Sequence, residues 1–425
     1  MTTPKNIKIV IGANFGDEGK GQMTDYFCQE AAQKGEKALV ICHNGGSQRG
    51  HTVIKNDKPR HVFHHFGAGS FSGADTYLAE EFIVNPMVFC KEWEELKKAD
   101  CTPTVFAHPN CRITTPFDMI INQLTEEKRQ DQRHGSCGMG IYETISRHRE
   151  MKKNGQNLTL KTLYQEGRPS LQKIRDEYFP RRLETLKLTM DKEWEAIISS
   201  DNLLDHYLED LTFMCQNLRF TEVSIFDHYN TLVFEGGQGL LLDQDNQEYF
   251  PHLTPSSTGV KNPKNLIQKW LHSSTPTSPS INSASPLTSI EVCYVTRPYL
   301  TRHGAGRFDT ECKKEEINPH MTDLTNVPNP YQGTLRYGKM DVQALQKRTQ
   351  NDFIPLQKTI PFQTCQCSLA ITHRNEHKDP FVTEKSMDIQ SFFAGFNKIY
   401  HSYGEDALSV NCAFPSILVE KNFLL

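Results

Sequence analysis

The sequence contains no run of 18 apolar residues, which excludes a helical membrane span. It carries little excess charge: 47 Lys and Arg stand against 51 Asp and Glu, a formal net charge of −4. A polybasic surface is therefore not expected, and nucleic acid is not the default partner. The N-terminal part lacks the long apolar core of a secretory leader, because Ile9-Val-Ile-Gly12 is only a few residues long. The expectation is a cytoplasmic protein. No internal repeat is present. The 12 cysteines are scattered, and the only close pair, Cys365 and Cys367, has neither zinc-ribbon spacing nor a second pair to complete it. Reduced, mostly buried thiols are expected. What remains is ordinary for a folded globular chain: 425 residues, 37% hydrophobic and 23% charged.

Along the chain, Ile7–Gly12 reads as a buried strand ending in glycine. A glycine-rich turn and a helix from about residue 19 follow, and then a second strand over 37–42. Strand, glycine turn, helix and strand make a βαβ unit, so a mostly parallel sheet covered on both faces is expected. An apolar segment surrounds Phe82, and Pro86–Lys97 has Val88, Phe89, Trp93 and Leu96 on one side of a helix. Residues 155–215 read as mainly helical. Strand-like sequence returns at 231–234, 290–295 and 367–372. Between them, 273–289 holds 13 Ser, Thr or Pro in 17 residues and predicts a mobile insertion within one domain spanning 1–425.

Two segments carry chemistry. In Gly16-Asp-Glu-Gly-Lys-Gly21 the glycines let backbone amides approach an anion. A helix N-terminus and the Lys20 ammonium then favour phosphate. The Walker pattern is absent, since Asn14 and Gly21 break it. Asp17 would face the anion, which makes sense if it binds a metal or removes a proton. After the second strand, Asn44-Gly-Gly-Ser-Gln-Arg-Gly-His-Thr52 again exposes amides and places His51 where charge developing on a phosphoryl group needs stabilising.

These two segments resemble the G-x-x-W-G-D-E-G-K-G and N-G-G-x-N-A-G-H-T motifs of the adenylosuccinate synthetase family. The resemblance continues in order. His61-Val-Phe-His-His-Phe-Gly-Ala-Gly69 is similar to H-x-x-P-S-G, and Gly135-Ser-Cys-Gly-Met-Gly-Ile141 to G-T-T-G-R-G-I-G. Phe234-Glu-Gly-Gly-Gln-Gly239 is similar to F-E-G-A-Q-G, and Thr301-Arg-His-Gly-Ala-Gly-Arg-Phe-Asp-Thr-Glu311 to T-R-V-G-A-G-P-F-P-T-E. The resemblance implies a P-loop-like nucleotide hydrolase type of α/β fold, with a central, mostly parallel sheet and helical subdomains, and a homodimer.

It also implies a ligase of purine biosynthesis that uses GTP or ATP to phosphorylate the 6-oxygen of IMP, or a related 6-oxopurine monophosphate. Aspartate or another amine then displaces the phosphate. On that resemblance Asp17 takes the purine N1 proton and, with the Gly50 carbonyl, holds Mg²⁺. His51 stabilises the moving phosphoryl group, and Lys20, Glu18 and the amides of Gly16, Gly19 and Gly21 line the phosphates. Gln48, Thr52, Gln238 and Thr254 line the nucleotide pocket, Ser136 and Cys137 hold the monophosphate, and Arg147 or Arg149 reaches a partner subunit's pocket.

Three departures bear on specificity. The amino-acid loop T-T-G-R-x-R-R is reduced to Pro330-Tyr-Gln-Gly-Thr-Leu-Arg336, leaving Arg302, Arg307 and Arg336 as candidates to grip a carboxylate. The guanine-reading T-K-x-D motif stands as Thr372-His-Arg-Asn375; His373 and Asn375 would read the donor base less exclusively than an aspartate does. Gln48 and Arg49 replace Asn-Ala, and Arg49 is expected to contact a phosphate or to alter which purine fits. Retained Asp17 leans toward IMP over a guanine nucleotide. Competing readings are a non-catalytic nucleotide-binding homologue and a kinase or NTPase that stops after the first half-reaction.

Overall fold

Strand β1 (Asn6–Gly12) alternates its side chains between two buried faces, as a strand period of two requires. Ile7, Ile9 and Ile11 enter one apolar cluster, and Val10 enters another. That two-sided burial marks the middle of a parallel sheet covered by helices. The computed structural model describes residues 5–130, 133, 135–273, 289–321, 334–360, 363–377, 379–384 and 388–415.

The other strands are β2 (Ala38–Cys42), β3 (His51–Lys55), β4 (Lys58–Phe63), β5 (Asp75–Leu78), β6 (Ile83–Val84), β7 (Val105–Ala107), β8 (Arg112–Ile113) and β9 (Leu218–Phe220). They continue with β10 (Thr231–Gly239), β11 (Ser289–Thr296), β12 (Leu300–Arg302), β13 (Glu311–Cys312), β14 (Arg336–Gly338), β15 (Thr364–Ile371), β16 (Lys398–Ser402) and β17 (Val410–Ala413). Ten of them form one sheet in the order β17-β16-β15-β11-β1-β10-β2-β5-β7-β9. Every pairing in it is parallel except β16 with β17. The expected α/β class and mostly parallel sheet are both present.

Helix α1 (Lys20–Gln33) covers one face of the sheet through Met23, Phe27, Cys28 and Ala31. The helices Lys261–Ser273 and Val342–Thr359 cover the other through Leu266, Ile267, Trp270, Leu345 and Leu356. A second core lies under α2 (Pro86–Lys98), α3 (Pro116–Arg129) and the helices of 160–216. The expected helix at 86–97 is therefore α2. All 12 cysteines are unbridged, as expected. Among the described residues no helix is long and apolar enough to cross a membrane.

Several features go beyond the sequence reading. β1 and β2 are not neighbours, because β10 pairs with both and lies between them. The apolar residues around Phe82 form only the two-residue β6, which pairs with β8 outside the main sheet. His51 opens a strand: β3 and β4 make an antiparallel hairpin in which His51 pairs with Phe63. Residues 274–288 of the Ser/Thr/Pro-rich stretch lie outside the described residues.

Candidate functional site

The five central strands, β15, β11, β1, β10 and β2, release their loops at one edge, their carboxyl ends. Ligands of open α/β sheets bind outside that edge. The loop after β1 leads into α1, whose N-cap Gly19 has φ +88°. A Cβ on Gly19 would stand 2.9 Å from Thr372 Cγ2, and the left-handed backbone is costly for any other residue. Gly19→Ala should lower stability by about 1–2 kcal/mol, read as a lower urea midpoint at unchanged slope; an unaltered midpoint would refute the close packing.

Within this loop Glu18 is buried, and its Oε1 accepts from the amides of Asn14 and Gly16, both at 3.0 Å. Burial raises its carboxyl pKa, with Lys20 opposing. Lys20 donates to the Gly16 carbonyl. Burial lowers the Lys20 pKa, while Glu18, Asp17 and Glu235 raise it and Arg49 lowers it further. Asp17 differs from both: its side chain is 32% exposed, with Oδ2 3.7 Å from His303 Nε2, so it faces the cleft.

The second loop meets the first. A Cβ on Gly21 would lie 3.0 Å from His51 Cβ, so only glycine lets the helix start approach the hairpin this closely. His51 is buried. Its Nδ1 donates to Glu235 Oε1 at 2.7 Å. Burial lowers the His51 pKa to about 4, with Glu235 opposing. Burial would raise the Glu235 carboxyl, but Arg49 and His51 overcome it and bring it to about 2. The pair is therefore a carboxylate beside a neutral imidazole that carries its proton on Nδ1.

Gln238, at the end of β10, packs against Gly45. Several buried polar atoms here have no hydrogen-bond partner among the described residues, among them Glu18 Oε2, Ser47 Oγ, Gln48 Oε1, His51 Nε2, Thr52 Oγ1 and Gln238 Oε1. Each such atom costs about 1–3 kcal/mol when buried unsatisfied. Their gathering on the loops after β1, β2 and β10 marks a place built for a polar ligand.

The remaining walls come from farther along the chain. Ser136 Oγ accepts from Asn122 Nδ2 at 2.7 Å and from the Gly138 amide at 3.3 Å. Cys137 beside it is buried enough to hold its thiol pKa up. The backbone at Gly135 lies directly against Gly304 in the loop that carries His303, which ties this segment to Asp17. Thr254 donates its amide to Leu242, two residues before Ser256, whose Oγ receives the Gly45 amide. Thr372 Oγ1 donates to the Glu18 carbonyl and pairs with His373 Nδ1 at 2.8 Å. Asn375 is exposed on the same turn, and Gly50 is exposed at the start of the hairpin.

The arginines are distributed differently from expectation. Arg49 contacts the protein's own groups: Nη1 reaches Glu235 Oε2 at 3.0 Å, Nε and Nη2 donate to the carbonyls of His64 and Phe66, and the guanidinium stacks on Phe82. Arg147 is buried and holds Asp118 through Nε and Nη2, both at 2.9 Å, which leaves exposed Arg149 as the one of the pair at the surface. Arg307 pairs with Asp309 and Glu248, and Arg336 is bidentate to Glu311. Arg302 donates to the carbonyls of Arg307 and His252 beneath Phe15 and Tyr249. Position 330 lies outside the described residues, as do 331–333.

Sequence reasoning misses Glu235, the partner of His51, because nothing in Phe234-Glu-Gly-Gly-Gln-Gly239 announces that pairing. It also misses Arg297, which donates to the Asp17 carbonyl, and Arg348, which donates to Ala13 and Asn14. His303 stands where the family motif has valine, and that difference was the available signal.

Residues 9–352 match the family model for adenylosuccinate synthetase. The adenylosuccinate synthetase of Acaryochloris marina is 28% identical over 312 residues, covering 72% of this chain and 63% of the relative. That of Picrophilus torridus is 26% identical over 322 residues, covering 73% and 66%. The chain thus spans just under two thirds of the length of these relatives. The fully ligated adenylosuccinate synthetase of Plasmodium falciparum superposes with a TM-score of 0.59 at 17% identity, covering 96% of this chain and 87% of that one. The cyanophage S-2L succinoaminodeoxyadenylate synthetase, bound to dGMP and dATP as an energy donor, gives 0.60 at 14% identity, covering 98% of each. Their common feature with this chain is the fold.

Proposed function

The chain belongs to the adenylosuccinate synthetase family, and from that premise we propose that it is a purine nucleotide ligase that forms a C–N bond at the expense of GTP or ATP. The observation that carries the reading is the set of orphaned buried polar atoms gathered where Lys20, Asp17 and His51 meet. In the first step the Asp17 carboxylate takes the N1 proton of a 6-oxopurine monophosphate. The 6-oxygen then attacks the γ-phosphorus and the nucleoside diphosphate leaves. In the second step an amine attacks C6, loses a proton and expels phosphate. His51 Nε2, which has no partner among the described residues, would stabilise the transferring phosphoryl group. Lys20 and the amides at the start of α1 receive the phosphates, and Ser136 with Cys137 receives the monophosphate.

The partly exposed Asp17 carboxylate and the carbonyl of exposed Gly50 are hard oxygen donors and would suit Mg²⁺, an ion that takes few protein ligands. When bound, such an ion would supply positive charge to the triphosphate. A homodimer, with Arg149 reaching across, completes the proposal.

A second reading is favoured by the arginines. Arg307 already pairs with Asp309 and Glu248 and Arg336 with Glu311, while Arg302 donates to two carbonyls and keeps a buried Nε without a partner among the described residues. An aspartate would have to displace them, so an amine without that carboxylate, or a reaction halted at phosphoryl transfer, is the alternative. Phosphate release with GTP or ATP, IMP or dGMP, and with or without aspartate separates the cases. Release that needs both purine and aspartate supports the ligase. Triphosphate consumption that needs the purine and ignores every amine supports the half-reaction. No turnover in any combination defeats both.

A further inference from the structure

We propose that Arg49 is a positioning residue for phosphoryl transfer, acting through Glu235 to aim the His51 imidazole; this rests on the ligase reading above. The geometry forms one line. Arg49 Nη1 lies 3.0 Å from Glu235 Oε2, and Glu235 Oε1 lies 2.7 Å from His51 Nδ1. Glu235 therefore spends one oxygen on each neighbour, and its Oε2 also receives the Ala68 amide at 3.4 Å. With both oxygens engaged the carboxylate has a single orientation, so the imidazole keeps its proton on Nδ1 and leaves Nε2, which has no partner among the described residues, to accept.

Arg49 is itself fixed. Its Nε and Nη2 donate to the carbonyls of His64 and Phe66, and its Cζ lies 5.2 Å from the centre of the Phe82 ring. The turn that supplies those carbonyls is anchored in turn, because Glu92 on α2 accepts the amides of His64 at 2.8 Å and His65 at 2.7 Å. All three members of the line are buried, with Arg49 at 2% exposure, Glu235 at 0% and His51 at 5%. The guanidinium reaches the two carbonyls and the carboxylate through a rigid planar fork of donors on separate nitrogens, a spread that the single nitrogen of an ammonium does not reproduce. The cation in this chain occupies a place where the family motif carries alanine, so the line is a property of this sequence and not of the motif.

The test uses the full chain and measures phosphate release with triphosphate and purine monophosphate. In Arg49→Ala we expect kcat to fall by about 10- to 100-fold, as for the loss of other groups that orient a functional histidine. KM for both nucleotides should stay within about threefold, because Arg49 touches neither. Guanidinium at millimolar concentration, and not urea, should restore part of kcat by refilling the vacated place. A folded Arg49→Ala with normal kcat overturns the proposal, as does a loss that falls mainly in KM. If Arg49→Ala does not fold, Arg49→Lys decides: reduced kcat at retained KM supports the proposal, and wild-type kcat overturns it. Failure of the ligase reading is recognised separately, as no phosphate release by the unaltered protein. Nitrogen-15 spectra of the His51 ring, identified by its loss in His51→Gln, then carry the test: a single Nδ1–H tautomer that becomes mixed in Arg49→Ala supports the line, and an unchanged ring spectrum overturns it.

Discussion

Asp17→Ala is expected to lower turnover by about a hundred- to ten-thousand-fold, the span over which a positioned general base acts. The side chain lends itself to a clean experiment. Glu18 and Lys20 on either side are buried in hydrogen bonds that hold the loop together. Asp17 turns outward, and its carboxylate approaches His303 at 3.7 Å. A half-exposed pair of that kind is worth at most about 1 kcal/mol, so the variant should fold with a urea midpoint close to the parent's. Two roles are proposed for this carboxylate, and they separate. If it only held the metal, raising Mg²⁺ would recover the rate of Asp17→Asn. If it removes the N1 proton, no Mg²⁺ concentration would do so, because the isosteric amide cannot accept that proton. An Asp17→Asn enzyme that turns over at the parent rate would remove the base from the mechanism altogether.

The same contrast explains what could be read from the sequence. The loops after β1 and β2 announce themselves because anion binding needs glycine, and glycine in clusters is visible along a chain. The strands that carry them, Ile7–Ile11 and Leu39–Ile41, are visible for a different reason: burial on both faces leaves a nearly continuous apolar run, interrupted in the first strand only by Lys8. Glu235 was hidden, because its importance comes from β10 lying between β1 and β2, and pairing order is not written locally. Arg49 was misread for a related reason. An arginine flanked by glycines looks like a loop residue facing an anion, and nothing nearby announces that a buried carboxylate almost 190 positions later will claim it. Strands of three or four residues, such as β5, β7 and β9, are too short to show a period, and tertiary pairing alone makes them strands.

Buried carboxylates are the extreme case of what the sequence conceals, and Glu291 carries the largest expected stability effect. On β11 it reads as an ordinary polar position between Ile290 and Val292. In the fold it faces α1 and joins four adjacent strands. Lys8 on β1 donates to it at 2.7 Å, Ser368 on β15 at 2.7 Å, and Lys398 and Tyr400 on β16 at 2.8 and 2.7 Å. Glu291→Ala should cost about 3–5 kcal/mol, because removal of one member leaves the Lys8 and Lys398 ammoniums near the sheet without a counter-charge. Glu291→Gln, which keeps the shape and loses the charge, should fall between. The pH dependence supplies a sharper check. Burial alone would raise this carboxyl, but Lys8 and Lys398 outweigh it and bring the folded-state pKa to about 2, below the ordinary 4.5. A depressed carboxyl stabilises the fold above its unfolded pKa and loses that contribution as pH falls. The gap in urea midpoint between the parent and Glu291→Ala should therefore be full at neutral pH, begin to close below about pH 4.5, and keep closing toward pH 2. The buried histidines titrate alike in both proteins and cancel in the difference. A gap that stays constant across this range would mean that Glu291 contributes packing rather than charge.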